Sequence, residues 1–427
     1  MSAKSSFWGL LFLLGSHTAM ATEFIVTHPG DKGPGSLRHA IQQANQQPGE
    51  DSIRFVSDLF QAPYTLSLTR PLPDITDDLV IDGYIPERLW QPSGITLDGN
   101  GRFGIMRAER GAQVTLRYLS LTGGRADLGG AIYSEGNLVL DSVLISGSQA
   151  NKGGALFQKG GTVTVINSTL MDNQARYGGA IYSSRGQLTL THNTITANAA
   201  EEGSGLYREG PVQLGNNIIA LNLPGADAYC QHNSTPDSHA NLIITSRGCG
   251  KPAFNEDPRL GPLGYYNGPT RSLPLQGNSP VINQADNRLS VDADGEPLVW
   301  DQRGNGDPRF AGGIADMGAF EKQAVLLLEV DTLSDEDIRG CTRLSEDCSL
   351  RGAIALLNAS EELDSVSLDA DLFVGEVTLA LTRPLPLLSR DAALKFKPGQ
   401  KLLVNGHGGL QTEEGVTLTM TPPVATQ

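Results

Sequence analysis

The sequence predicts an all-β chain wound as a right-handed parallel β-helix, a solenoid of 24–25-residue coils with short capping helices. Three observations carry this. The string Gly129-Gly130-Ala131-Ile132-Tyr133 returns as Gly153-Gly154-Ala155-Leu156-Phe157, as Gly178-Gly179-Ala180-Ile181-Tyr182 and as Gly203-Ser204-Gly205-Leu206-Tyr207. The steps are 24, 25 and 25 residues, a period that marks stacked repeats. Apolar columns recur at the same phase: Val114, Leu138, Val163, Leu188, Val212; then Leu116, Leu140, Val165, Leu190, Leu214; and Leu121, Ile145, Leu170, Ile195, Ile219. Spacing of two within a coil is the strand signature, and the 3.6-residue helical period is missing here.

The third observation is a polar column, Gly124, Ser148, Asn173, Asn198 and Asn222, falling where a strand ends and the chain turns. Asparagine tolerates unusual backbone angles there, and its amide can bond the equivalent residue one coil away. Asn193 and Asn217 share a second phase and form a shorter ladder. Fifty of the 427 residues are glycine, well above the usual ~7% and without a collagen period, as many tight turns require.

In chain order, residues 1–21 read as a cleaved signal peptide. Lys4 supplies the n-region, Phe7 to Gly15 the apolar stretch and Ala19-Met20-Ala21 the cleavage site, so the mature chain would begin at Thr22. The apolar stretch is too short to span a bilayer, and no other segment approaches the ~18 apolar residues needed. Residues 22–78 form an N-terminal cap. Strand-like Phe24-Ile25-Val26-Thr27 leads to a short amphipathic helix N-capped by Ser36 with Leu37, Ile41 and Ala44 on one face, then Ser52-Ile53-Arg54-Phe55. Coils are expected over 79–260 and a closing segment over 261–321.

Residues 322–427 repeat the opening layout. Leu326 to Val330, Ser349 to Ile354 and Ser365 to Leu368 follow the same order, and Thr65-Leu66-Ser67-Leu68-Thr69-Arg70-Pro71-Leu72-Pro73 is nearly restated as Thr378-Leu379-Ala380-Leu381-Thr382-Arg383-Pro384-Leu385-Pro386. This second module either caps the far end of the solenoid or forms a β-helical stub beside it.

Four cysteines in an exported chain suggest two disulfides. Pairing Cys230 with Cys249 and Cys341 with Cys348 is the simplest of three connectivities.

The formal charge of −15 excludes nucleic acid as a partner, since phosphate binding needs a basic stripe. The same charge repels polyuronates and anionic lipid surfaces unless a cation bridges them. Polysaccharide or a cell-surface protein remains as the partner class.

Tyr133, Phe157, Tyr182 and Tyr207 form an aromatic column, expected chiefly as a stabilising ladder; facing solvent, it would be a sugar-stacking surface. Catalysis on a polysaccharide needs paired carboxylates, or an acid cluster that holds a metal beside a Lys or Arg base, brought together in adjacent coils. The column two residues past the aromatics reads Glu135, Lys159, Ser184 and Glu209, and another surface phase reads Ser142, Asn167, His192 and Asn216; neither stacks two carboxylates. Gly406-His407-Gly408 resembles a short motif of β-helical pectin hydrolases but lacks its accompanying aspartates. No cofactor is expected. Calcium is the one ion with a candidate loop, Asp292-Ala293-Asp294-Gly295-Glu296, which reads more simply as a turn because the later bidentate Glu is missing.

The Gly-Gly-Ala-Ile and Asn-ending coils resemble the repeats of polymorphic outer membrane proteins. Cys348-Ser349-Leu350-Arg351-Gly352-Ala353-Ile354, with Cys341 upstream, resembles the CSLREA domain, with Gly352 where Glu is usual. Asn222 through Glu321 is similar to the choice-of-anchor Q domain, on Asn278-Ser279-Pro280-Val281-Ile282, Asp301-Gln302-Arg303-Gly304 and Asp316-Met317-Gly318-Ala319-Phe320-Glu321. These resemblances imply a secreted or surface-exposed protein, and supply no catalytic residues. The expectation is therefore an exported, non-catalytic protein of the cell surface or secreted space, with the periplasm as the other destination, working in binding, adhesion or envelope structure. The alternative is a β-helical polysaccharide lyase or hydrolase with its site on loops from Asp227 to Pro269.

Overall fold

Each repeat of about two dozen residues is too small to bury its apolar positions alone, so consecutive repeats stack and share one core. The computed structural model describes residues 21–56, 63–85, 94–231, 240–304, 306–310, 314–322, 328–338, 341, 346, 348–359, 365–397, 399–407 and 409–421. Among them, three parallel sheets of eight, eight and seven strands run the length of the main solenoid. The first sheet includes Gln113–Arg117, Asn137–Asp141, Thr162–Ile166, Gln187–Thr191 and Val212–Gly215. The second includes Leu119–Thr122, Leu144–Ser146, Thr169–Met171, Thr194–Thr196 and Ile218–Ala220. The third includes Met106–Ala108, Ile132–Ser134, Leu156–Gln158, Ile181–Ser183, Leu206–Arg208 and Ala228–Cys230. Register follows the predicted columns: Leu140 pairs with Val165 and Val165 with Leu190, Ile145 with Leu170 and Leu170 with Ile195. These side chains are fully buried.

The asparagine columns are the ladders the spacing predicts. The Asn198 side-chain oxygen accepts from the Asn173 amide at 3.0 Å, and Asn222 does the same for Asn198 at 3.0 Å. That ladder ends on Asp227, whose carboxylate accepts from Asn222 at 2.8 Å and so needs no further donor. The second ladder runs Asn193, Asn217, Asn241.

The winding begins before Leu79. Glu23–Val26 and Asp51–Phe55 are already rungs of the first sheet, paired onward to Leu79–Asp82, so the opening module is the first coils with a helix inserted. That helix, α1 (Leu37–Ala44), is N-capped by the Ser36 hydroxyl and buries Leu37, Ile41 and Ala44, as its pattern predicts.

The C-terminal module repeats this construction with its own core and its own sheets. Its helix α2 (Leu350–Ala359) places Arg351 as α1 places Arg38. Arg38 pairs with Asp31 at 2.6 Å and donates to the carbonyls of Arg70 and Pro71; Arg351 pairs with Asp335 at 2.5 Å and donates to those of Arg383 and Pro384. Thr69 and Thr382 close the two clasps on Asp31 and Asp335. The near-identical strings at 65–73 and 378–386 exist because both must present these carbonyls to a buried arginine. The two disulfides pair in sequence, Cys230 with Cys249 and Cys341 with Cys348.

The closing segment does not finish the solenoid's end. Its described residues form only isolated bridges and no sheet, and they run back along the corner between the first and second sheets. Thr270 donates to the Ser142 carbonyl at 3.0 Å, Thr169 to Gln302 at 2.6 Å, Arg309 to Asn167 at 3.0 Å, and Gly318 to the Asn216 carbonyl at 2.8 Å. Ser142, Asn167, His192 and Asn216, expected at the surface, are consequently buried. Each sits at the corner after a first-sheet strand, with φ 57°, 48°, 52° and 58°; what local pattern cannot show is that a distant segment covers them.

Candidate functional site

The outer face of the third sheet carries the largest concentration of aromatic and charged side chains. The Gly-Gly corner preceding each strand positions it: Gly153 has φ 66°, and a Cβ there would lie 2.1 Å from the Leu156 carbonyl oxygen, so only glycine fits this approach. After the corner, alternation sends the Ile or Leu inward and the aromatic outward.

Tyr133, Phe157, Tyr182 and Tyr207 stack in register, with ring centroids 5.5, 5.4 and 4.8 Å apart. Tyr229 extends the column at 4.8 Å; it escapes the sequence period because it follows Tyr207 by 22 residues, where the repeat expects 25. Both ends are covered by guanidinium groups: Arg107 lies 4.4 Å from the Tyr133 centroid and Arg247 lies 5.2 Å from that of Tyr229. The faces of these rings are thus taken up by each other and by arginine. Phe157, Tyr182 and Tyr207 are 6%, 2% and 6% exposed, which leaves edges and not faces for a sugar. The column is a continuous stack of five rings.

Beside it runs the charged column. Arg107 pairs in register with Tyr133, which puts Glu109 directly in line with Glu135. This column therefore does stack two carboxylates, contrary to the sequence reading, because the coil before the first Gly-Gly repeat lacks the motif that would have aligned it. Arg107 bridges them, at 2.5 Å to Glu109 and 3.2 Å to Glu135. Lys159 approaches Glu135 at 3.2 Å and Arg110 at 3.8 Å. The Tyr133 hydroxyl donates to Glu135 at 2.9 Å. That hydrogen bond, with Lys159, holds the Glu135 carboxyl below the usual carboxylate range. The same Tyr133 and Glu135 contacts raise the Lys159 ammonium. At neutral pH Glu135 is an anion and Lys159 a cation, so Glu135 is not held as a proton donor. Further along, Tyr182 and Ser184 both donate to Glu209. Arg110, Glu135, Asn137, Lys159 and the intervening glycines line an open groove of ≈ 300 Å³.

The other sequence candidates are placed as follows. Asp292 accepts from the amides of Asp294 and Glu296, both at 2.9 Å, closing the expected turn. Among the described residues no cluster of three or more His, Cys, Asp or Glu is arranged to hold a metal. Asp227 is occupied by the ladder and Thr245, and Asp257 caps its own turn at Arg259; residues 232–239 of that loop, with His232 and His239, lie outside the described residues, as do residues 1–20 of the signal-peptide reading and Gly408 of the Gly-His-Gly string. No helix among the described residues is long and apolar enough to cross a membrane.

No family model, curated protein or solved structure matches the chain.

Proposed function

We propose that the chain is an exported, non-catalytic β-helix protein whose long flank serves cell-surface binding, adhesion or envelope structure toward carbohydrate or protein ligands. The observation that carries this reading is the pairing of the stacked carboxylates. Glu109 and Glu135 share one arginine, and Glu135 is further held by Lys159 and a tyrosine hydroxyl. Glycoside hydrolysis needs one carboxyl kept protonated, and the partners of Glu135 hold that one ionised. Two disulfides fit an oxidising compartment, in keeping with secretion directed by residues 1–21. The likeness to CSLREA, choice-of-anchor Q and polymorphic outer membrane repeats supports a surface role in the same sense.

A hydrolase reading has one observation in its favour. Asp82 and Asp141 flank Arg117 in register, two coils or about 10 Å apart, and burial raises both carboxyls above their usual range. One assay separates the readings: reducing-sugar and unsaturated-product release across a polysaccharide panel, with and without calcium. The non-catalytic reading expects none; robust turnover lost in Asp141→Asn would establish the hydrolase.

A further inference from the structure

At the corner between the third and first sheets, Gly136, Gly161, Gly186 and Gly210 fall in register, following the pairing of the first-sheet strands that they precede. They leave the corner without side chains over four coils. Gly161 and Gly186 have φ 66° and 85°, and a Cβ on Gly186 would sit 1.9 Å from the Gly161 carbonyl oxygen, so the bare track is built into the winding. Cations outnumber carboxylates along its rim. Arg110 is 84% and Lys159 52% exposed at the side chain, and the two share the single Glu135 carboxylate, at 3.8 and 3.2 Å; Arg185, immediately before Gly186, is exposed as well.

A second, independent charge lies beneath. Arg208 points into the solenoid and is 1% exposed. Its guanidinium donates to the Gly186 carbonyl at 2.6 Å, the Pro211 carbonyl at 2.9 Å and the Ser183 hydroxyl, all neutral acceptors. A Cβ on Gly210 would lie only 3.0 Å from its Nη2, so the charge sits one atomic layer below the track. A buried guanidinium whose hydrogen-bond partners are all neutral keeps a positive field that the neighbouring Glu209 carboxylate offsets only from a distance, and a low-dielectric wall focuses it outward.

Resting on the reading of the flank as a binding surface, we propose that this glycine track is a binding site for an acidic polysaccharide, with carboxylate or sulfate groups paired to Arg110, Lys159 and Arg185 above the field of Arg208. Arg110 and Lys159 rise from coils two apart, about 10 Å at the inter-strand spacing, and converge on Glu135, so an acidic group of the polymer would take over their pairing from that carboxylate. The chain's overall charge of −15 is repulsive at long range, but it is screened beyond about 8 Å at physiological salt; the local cations decide binding at contact.

The test is calorimetric titration of the full chain with polygalacturonate, a sulfated glycan and neutral dextran. The triple variant Arg110→Gln/Lys159→Gln/Arg185→Gln is the probe and Arg288→Gln, an exposed arginine on the closing segment, the control. Binding to either acidic polymer, absent for dextran, is expected to weaken at least about tenfold in the triple variant and on raising salt from about 0.05 to about 0.5 M. The control should bind as the parent does. Equal binding by the triple variant, equal binding of dextran, or no acidic polymer bound overturns the track. None of these results touches the non-catalytic reading, which product release alone would overturn.

Discussion

Replacing Asn198 with alanine tests the coil-to-coil ladder directly. Asn198 is 1% exposed. Its oxygen accepts from the Asn173 amide and from the Asn173 side chain, both at 3.0 Å, and its Nδ2 donates to the Leu170 carbonyl, the Thr196 carbonyl and the Asn222 oxygen, all at 2.9 Å. Alanine removes all five. The Asn222 oxygen keeps the Asn198 backbone amide, and Asn173 Nδ2 keeps the carbonyls of Ile145 and Met171. The Asn173 backbone amide keeps nothing. An orphaned buried donor costs about 1–3 kcal/mol and each of the four further lost bonds about 1 kcal/mol, so the total is about 5–7 kcal/mol. Urea unfolding followed by far-ultraviolet circular dichroism measures the loss. Hydrogen exchange then localises it, with protection expected to fall first at Asn173 and in the adjoining coils, since stacked repeats depend on their nearest neighbours. Asn151→Ala, an exposed position in the same solenoid, should stay within about 0.5 kcal/mol. A loss at Asn198 below about 1 kcal/mol, or unchanged exchange at Asn173, would mean the ladder is a consequence of the winding and not one of its supports.

Burial and the neighbouring Arg309 guanidinium hold His192 neutral, well below the ordinary imidazole value. Unfolded histidine titrates near ~6.5, so stability is full above that pH and declines below it, and His192→Asn should flatten the melting temperature's fall between about pH 7 and pH 5 relative to the parent. Arg351→Ala strands the buried Asp335 and should destabilise the C-terminal module by about 3–5 kcal/mol, read as lost exchange protection in α2 with the main solenoid unchanged. Burial raises the Asp335 carboxyl, but Thr382 and Arg351 outweigh it and bring it down to about 2; the module's stability is therefore present above the ordinary aspartate value of ~3.9 and is lost as pH falls towards 2. Tyr182→Ala opens the centre of the aromatic ladder and should cost about 3–5 kcal/mol while leaving polysaccharide retention on an affinity gel unchanged; lost retention with unchanged stability would restore the sugar-stacking role.

The candidate site was only half legible. The aromatic column was visible because three members follow Gly-Gly-Ala, and Tyr207 the related Gly-Ser-Gly, at a fixed step. Tyr229 and Arg107 lie in coils that lack the motif, so the ladder's true ends, and the alignment of Glu109 with Glu135, needed the actual strand register. Arg208 occupies a position where alternation alone predicts an inward side chain, yet an arginine there reads from sequence as a surface residue, since charged side chains are almost never fully buried unless paired. Only coordinates show that its partners are carbonyl oxygens of a glycine corner.

Period and alternation fixed the stacked parallel coils, the columns of the core, both asparagine ladders and the duplicated module. Each of these follows from interactions between a residue and its equivalent one coil away, and such interactions write a regular spacing into the chain. Tertiary structure decided the return of residues 261–321 along the flank, the burial of Ser142, Asn167, His192 and Asn216 beneath it, and the charge balance of the glycine corner. The contacts that bury those four residues join positions 70 or more apart with no repeat between them, and the Arg208 contacts occur in a single coil; a contact without a period leaves no pattern in sequence to read.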